Sequence, residues 1–283
     1  MFSTSNKYAL LFSLLTTVCL LSCGDKEIQL LIRPNSSTET TTQNICYLKA
    51  ADNGHGINYN FNYNTDNQII KIDGFPDFNQ ISYENNLPKK VNSTFDDTYY
   101  VEYSYDNQGT LTMINFIGKD SRNKPFQLKS KVYTNSQKQA ERIDLNLPVF
   151  DQIIVTKIEY DGNGNIRKIN IVENNTSKVI LENLEFDNHK SPYINASLAN
   201  TMLYFTIFSA ITGGENTTYF QNQNNPTLSK IYTDNGEVTY SYNYEYTSEE
   251  YPSKIKVIRK QNNVEEKYEE NLIYNCIKTN LSK

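Results

Sequence analysis

The sequence predicts an all-β protein: a many-stranded antiparallel meander forming a curved or partly closed sheet, with a short helical or irregular plug near residues 193–211. Three observations predict it. Aromatic rings alternate with polar side chains at period two, as in Tyr59, Phe61 and Tyr63 among Asn58, Asn60 and Asn62. The same holds for Tyr99, Val101, Tyr103 and Tyr105, and for Tyr240, Tyr242, Tyr244 and Tyr246. Such runs put rings on one face and polar groups on the other, the pattern of a half-buried antiparallel strand. Between them lie Asp106-Asn107-Gln108-Gly109, Asp161-Gly162-Asn163-Gly164 and Thr233-Asp234-Asn235-Gly236, whose Asn and Gly supply the positive φ that hairpin turns require. Composition agrees: 38 Asn stand against 11 Gly, so Asn carries much of the turn chemistry. With 22 Tyr and 13 Phe the chain has the rings for a core. A β-propeller or a two-sheet sandwich is the alternative arrangement of the same strands.

Taken in order, residues 1–22 read as a signal peptide: Lys7 precedes an apolar run from Tyr8 to Leu21 that is too short to span a bilayer. The run ends Leu20-Leu21-Ser22-Cys23-Gly24, which resembles a bacterial lipobox and implies acylation of Cys23. Two or three acyl chains, at about 0.8 kcal/mol per buried CH₂, make a lasting membrane anchor. Asp25, Lys26 and Glu27 resemble the acidic export tag of surface lipoproteins of Bacteroidota. Residues 23–44 are then the lipidated Cys and a tether, polar from Pro34 to Asn44, and residues 45–283 a single domain.

Once Cys19 leaves with the signal and Cys23 carries lipid, Cys46 and Cys276 remain, one near each end of the domain. In an oxidising compartment such a pair suggests a disulfide between the first and last strands, two buried free thiols being the alternative. A metal site is disfavoured, since neither Cys has a partner at ligand spacing.

The body also carries an internal repeat. Tyr63, Tyr105, Tyr160 and Tyr246 are each followed at +6 and +9 by residues such as Ile69 and Ile72, or Ile166 and Ile169, and Tyr133 shows the same unit with one extra residue. Physically this is a Tyr ending a strand, a polar turn of about five residues, and an apolar pair opening the return strand. Tyr160-Asp161-Gly162-Asn163-Gly164-Asn165-Ile166 and Tyr105-Asp106-Asn107-Gln108-Gly109-Thr110-Leu111 resemble YD repeats of the Rhs type. With the lipobox and the terminal Cys pair, residues 45–278 resemble YD-repeat-like lipoproteins of Bacteroidota, and the resemblance implies a long, curved antiparallel sheet. The units at Tyr63 and Tyr246 lack the Asp, and the repeat spacing is irregular.

Tyr193 to Ile211 is the longest apolar stretch after the signal; Leu198, Met202, Phe205 and Ser209 suit a helix, whereas Met202, Tyr204, Thr206 and Phe208 suit a strand. Between Ser191-Pro192 and Gly213-Gly214 it is expected to plug an open face of the sheet, core filling being favoured over membrane insertion.

Chemistry is sparse. His55 and His189 both fall in turn-like segments, and HExxH, GxSxG and P-loop patterns are absent from the sequence. Asp161, Asn163 and Asn165 match positions 1, 3 and 5 of a calcium loop, but Ile166 and Val172 occupy its positions 6 and 12, which favours a hairpin turn. Glu265, Glu266, Glu269 and Glu270 around Lys267 read as a solvated strand face. The Tyr240–Tyr246 row is expected in the core and Tyr100 on the surface. A net charge of −5 argues against nucleic acid. No catalytic residue, metal ligand or cofactor site is identified. The expectation is a lipid-anchored outer-membrane envelope protein, non-catalytic, binding a glycan or protein partner; a glycan hydrolase with paired carboxylates and a scaffold lipoprotein are the alternatives.

Overall fold

A computed structural model of the chain describes residues Thr41–Leu281, apart from 76–77, 95–97, 120–121, 149–150 and 174–175. Cys23, its signal and most of the tether lie outside the described residues. Sixteen strands follow one another: β1 (Thr41–Asp52), β2 (Asn58–Tyr63), β3 (Ile69–Asp73), β4 (Gln80–Glu84), β5 (Leu87–Asn92), β6 (Tyr100–Tyr105), β7 (Leu111–Lys119), β8 (Pro125–Thr134), β9 (Ala140–Leu147), β10 (Gln152–Tyr160), β11 (Ile166–Glu173), β12 (Thr176–Lys190), β13 (Asn224–Thr233), β14 (Gly236–Tyr246), β15 (Pro252–Gln261) and β16 (Val264–Leu281). One helix, α1 (Ala199–Thr212), and a 3₁₀ turn, Thr218–Phe220, lie between β12 and β13.

Each strand pairs antiparallel with its sequence neighbours, and β1 pairs with β16, so the sheet is a closed barrel. This corrects the curved or partly closed expectation and leaves no room for a propeller or sandwich. Closure runs from Thr41↔Leu281 to Ala51↔Leu272 and sets Cys46 opposite Cys276, which are disulfide-bonded. Since β1 begins at Thr41, the last residues read as tether are already strand. Closing the sheet removes the unpaired edges that invite aggregation.

The period-two rows sort cleanly. Ile69, Ile72, Ile81, Val91, Val101, Ile114, Ile143, Ile158, Ile169, Ile231 and Val257 point inward and are buried. Outward rows carry ion pairs around the wall: Lys71–Asp73, Arg142–Asp144, Lys168–Glu182, Lys230–Glu237, Lys256–Glu245 and Lys254–Glu269. A membrane-spanning barrel has the reverse arrangement, apolar outside and polar within.

The repeat has a structural cause. Asn64, Asp106, Asn135 and Asp161 each accept, on one side-chain oxygen, the backbone N–H groups two and four residues on. Thr247 Oγ1 does the same for Glu249 and Tyr251. The third residue after each is in the left-handed region: Asn67, Gly109, Lys138, Gly164 and Glu250. Asn64 and Thr247 therefore replace the missing Asp, because any short side-chain oxygen can nucleate this turn. Asp161 is committed to it, which is the hairpin reading of the calcium-like spacing.

Helix α1 lies inside the barrel and does not cover an open face. Its buried residues include Thr201, Met202, Leu203, Tyr204, Thr206, Ile207 and Ala210. Tyr204 stacks on Phe116 of β7 at 5.8 Å, Phe205 packs on Phe78 at 5.0 Å, and Tyr103 Oη donates to the Thr201 carbonyl at 2.6 Å. Behind it a buried polar net ties plug to wall. Asn183 Nδ2 donates to the Ile166 carbonyl and to Thr218 Oγ1, while its Oδ1 accepts from Asn216 and Ser229. Groups paired this way lock one arrangement, since each would be costly if left bare. Sixteen-stranded barrels can hold an aqueous channel; here the helix and the isoleucine and valine rows occupy the lumen.

Candidate functional site

At one rim, β10, β11, β12 and β13 leave a cleft of about 700 Å³, within the usual range of ligand sites of roughly 300–1,000 Å³. Its apolar lining is Ile153, Ile154, Ile171, Val172, Ile180 and Ile211. Lys178, Asp151, Asp234 and Tyr232 supply the polar groups. Ile153, 62% exposed, is among the most exposed large apolar side chains of the described residues.

The floor exists because α1 stops there. Gly213 ends the helix at φ 70° and donates its N–H to the Ala210 carbonyl, a left-handed C-terminal stop that favours glycine. A Cβ at this position would also lie 2.7 Å from Thr233 Cγ2 on β13. Helix end and wall thus meet at a glycine, which leaves Ile211 facing the cleft. Lys178 reaches Asp234 only at 4.0 Å across the rim, so these charges remain available to a ligand. Among the described residues Tyr232 is the one ring in the lining, and its hydroxyl donates to Glu182 at 3.3 Å. Burial, followed by the Glu182 carboxylate, raises its pKa. The cleft therefore offers branched aliphatic surface with a mixed-charge rim, and little for a sugar face to stack on.

A smaller chamber of about 60 Å³ lies elsewhere in the lumen, lined by Tyr193, Tyr219, Tyr242, Tyr268, Glu215 and Glu270 among others. It brings together two carboxylates in a space well below the roughly 300–1,000 Å³ of drug-sized ligand sites. The sequence alone reads Glu270 as part of a solvated strand face. It is instead half-buried, because it shares the inward row of Tyr268, Leu272 and Tyr274, while Lys267 and Glu269 point outward. The parity of that row was the available signal.

The other expected residues are scattered. His55 sits in a turn against the Tyr268 ring, with centroids 4.5 Å apart. His189 is not in a turn: it is the penultimate residue of β12 and stacks on Tyr246 at 3.9 Å. Tyr240, Tyr242 and Tyr244 form a stacked row with centroids 6.1 and 6.3 Å apart, Tyr240 being buried. Tyr100 is only half-buried, with the Lys90 ammonium 3.8 Å above its ring. Among the described residues Cys46, Glu249 and Cys276 lie within metal-ligating distance, but the two sulfurs are bonded to each other and offer no thiolate.

No protein-family model matches the chain, and no curated protein matches it. Among solved structures it is similar to a porin-like protein from Bacteroides uniformis ATCC 8492, at 12% identity and a TM-score of 0.48, over 85% of this chain and 97% of that one. A likeness at that level leaves the function open.

Proposed function

We propose that this chain is a lipid-anchored envelope protein of the YD-repeat-like type, whose barrel stands in water and binds a protein partner at the rim cleft without catalysing a reaction. The cleft carries this reading: an exposed isoleucine over an aliphatic floor, ringed by Lys178, Asp151 and Asp234, suits an apolar side chain flanked by polar groups. A glycan partner is less well served, with Tyr232 alone available as a ring among the described residues. The lipobox at Cys23 and the polar tether support anchoring. The ion-paired outer wall supports a barrel held outside the bilayer, since Lys or Arg facing lipid at its midplane costs about 2–4 kcal/mol each.

The test is a binding screen of the soluble protein beginning at Gly24, against peptides tipped with aliphatic residues and against glycans, by thermal shift and calorimetry. A peptide that binds and is weakened about tenfold or more by Ile153→Asp supports the proposal, that factor matching the loss of one apolar anchor of ~1.5 kcal/mol. A glycan that binds with no response to Ile153→Asp would move the site elsewhere, and release of a sugar product would favour the hydrolase.

A further inference from the structure

The tyrosine-lined chamber is a second site, independent of the rim cleft. Tyr193 and Tyr219 come from the plug, with rings stacked at 5.3 Å. Tyr242 comes from β14, while Tyr268 and Glu270 come from β16. Glu215, which follows the Gly213-Gly214 turn at the end of α1, is exposed and marks the way in. Among the described residues the lining includes no Lys, Arg or His. Two carboxylates thus border one small space without a counter-charge in its lining, an arrangement that favours a cation entering from solution.

Size and chemistry narrow the cation. A volume of about 60 Å³ holds about four to six waters at roughly 10–15 Å³ of probe volume each, which is also about the heavy-atom count of a methylated ammonium group. Calcium needs roughly six to eight oxygen ligands, whereas much of this lining is aromatic. Tyrosine rings attract weakly hydrated organic cations through their electron-rich faces.

We propose that the chamber binds a small alkylammonium cation, with Glu270 and Glu215 supplying the charge and Tyr193, Tyr219, Tyr242 and Tyr268 the walls. The head group fills the chamber, and any longer substituent leaves past Glu215. Burial first, then Glu215, then Asp52, pushes Glu270 up to about 7. The groups that sense Glu270 are Glu215 after α1, Asp52 of β1, Tyr59 of β2, Tyr193 and Tyr219 of the plug, Tyr242 and Tyr244 of β14, and Tyr268 of its own strand, while β15 sets the apolar Ile255 opposite it. A bound cation stabilises the ionised carboxylate, so binding releases a proton below about pH 7 and affinity rises with pH until Glu270 is fully ionised.

The experiment is calorimetric titration of the soluble protein from Gly24 with tetramethylammonium chloride, between pH 5.5 and 8.5. Potassium, calcium and neopentyl alcohol (uncharged and of similar bulk) serve as comparison ligands. Saturable binding of tetramethylammonium is expected, about tenfold weaker per pH unit below 7 and level above it, with neopentyl alcohol much weaker throughout. Glu270→Gln keeps the volume and removes the charge; it should weaken binding at least about tenfold at pH 8 and abolish the pH dependence, while melting no lower than the wild type. No saturable binding, equal binding of neopentyl alcohol, tighter binding of potassium or calcium, or an unchanged affinity in Glu270→Gln would each overturn the proposal.

Discussion

The hydroxyl of Tyr160, at the end of β10, donates to the carbonyl of Ala140, at the start of β9, at 2.9 Å. Five other tyrosines repeat the contact: Tyr63 to Leu48, Tyr83 to Ile69, Tyr105 to Pro88, Tyr244 to Pro226 and Tyr274 to Pro252, at 2.7–2.9 Å. Each ring thus ties a strand to a backbone carbonyl fourteen to twenty-two residues earlier, near the start of a preceding strand except for Leu48, which lies in the second half of β1. Tyr63, Tyr105 and Tyr160 of the repeat are latches between successive hairpins, and the Asn or Asp next to each builds the turn; on β14 the latch falls to Tyr244, while Tyr246 donates to the Asp187 carboxylate.

Tyr160→Phe should therefore cost about 1 kcal/mol, because it leaves the ring in place and strips the Ala140 carbonyl of its partner. Urea unfolding should show a lower midpoint at unchanged slope. No change in midpoint would mean that this carbonyl finds another donor.

The disulfide closes the barrel where its first and last strands meet. Replacing Cys46 and Cys276 together by Ser should cost about 2–5 kcal/mol, since the bond spans a sequence separation of 230 and limits the unfolded chain. Thermal unfolding with and without reductant reads this directly. Identical melting temperatures would make the bond irrelevant to closure.

Stability should also depend on Glu270. Its carboxyl is pushed from 4.5 to about 7 in the folded chain, by burial and then by Glu215 and Asp52. A raised folded pKa means that the native state holds the proton over a range where the unfolded chain has lost it. The contribution is complete below about pH 4.5 and lost as pH rises through about 7, a change on the order of 2 kcal/mol after screening. Glu270→Gln should flatten the fall in melting temperature between these values. An identical pH profile in the variant would place the titration elsewhere.

Labelled palmitate should enter the full-length chain in bacterial cells and fail to enter Cys23→Ala, which should leave the membrane fraction with its barrel folded. Labelling that persists in Cys23→Ala would put the lipid on another residue or remove the anchor from the account.

Much of this fold was legible. Tyr240, Tyr242 and Tyr244 beside Ser241 and Asn243 give strand and facing together, and the unit from Tyr160 to Ile169 gives a hairpin whose turn the structure reproduces. Closure was less legible, because strands of a curved sheet and of a barrel share the same period of two; only the pairing of β1 with β16 separates them. The stretch from Tyr193 to Ile211 fitted either period because a helix inside a lumen is apolar on most of its faces. Glu270 was missed because its neighbours Glu265, Lys267 and Glu269 are solvated in fact, and parity along β16 separates it from them. The rim cleft was out of reach, since Ile153, Ile180 and Ile211 belong to two strands and a helix that only the fold brings together.

The most direct test of the central claim is the behaviour of the protein from Gly24 onward, without the lipidated cysteine, in buffer free of detergent. A barrel with ion pairs outside and its apolar rows within should be folded and soluble there, with the β-rich circular dichroism of the intact chain, and should not partition into lipid vesicles. A protein that folds only with detergent or lipid, or that conducts ions across a planar bilayer, would contradict the account.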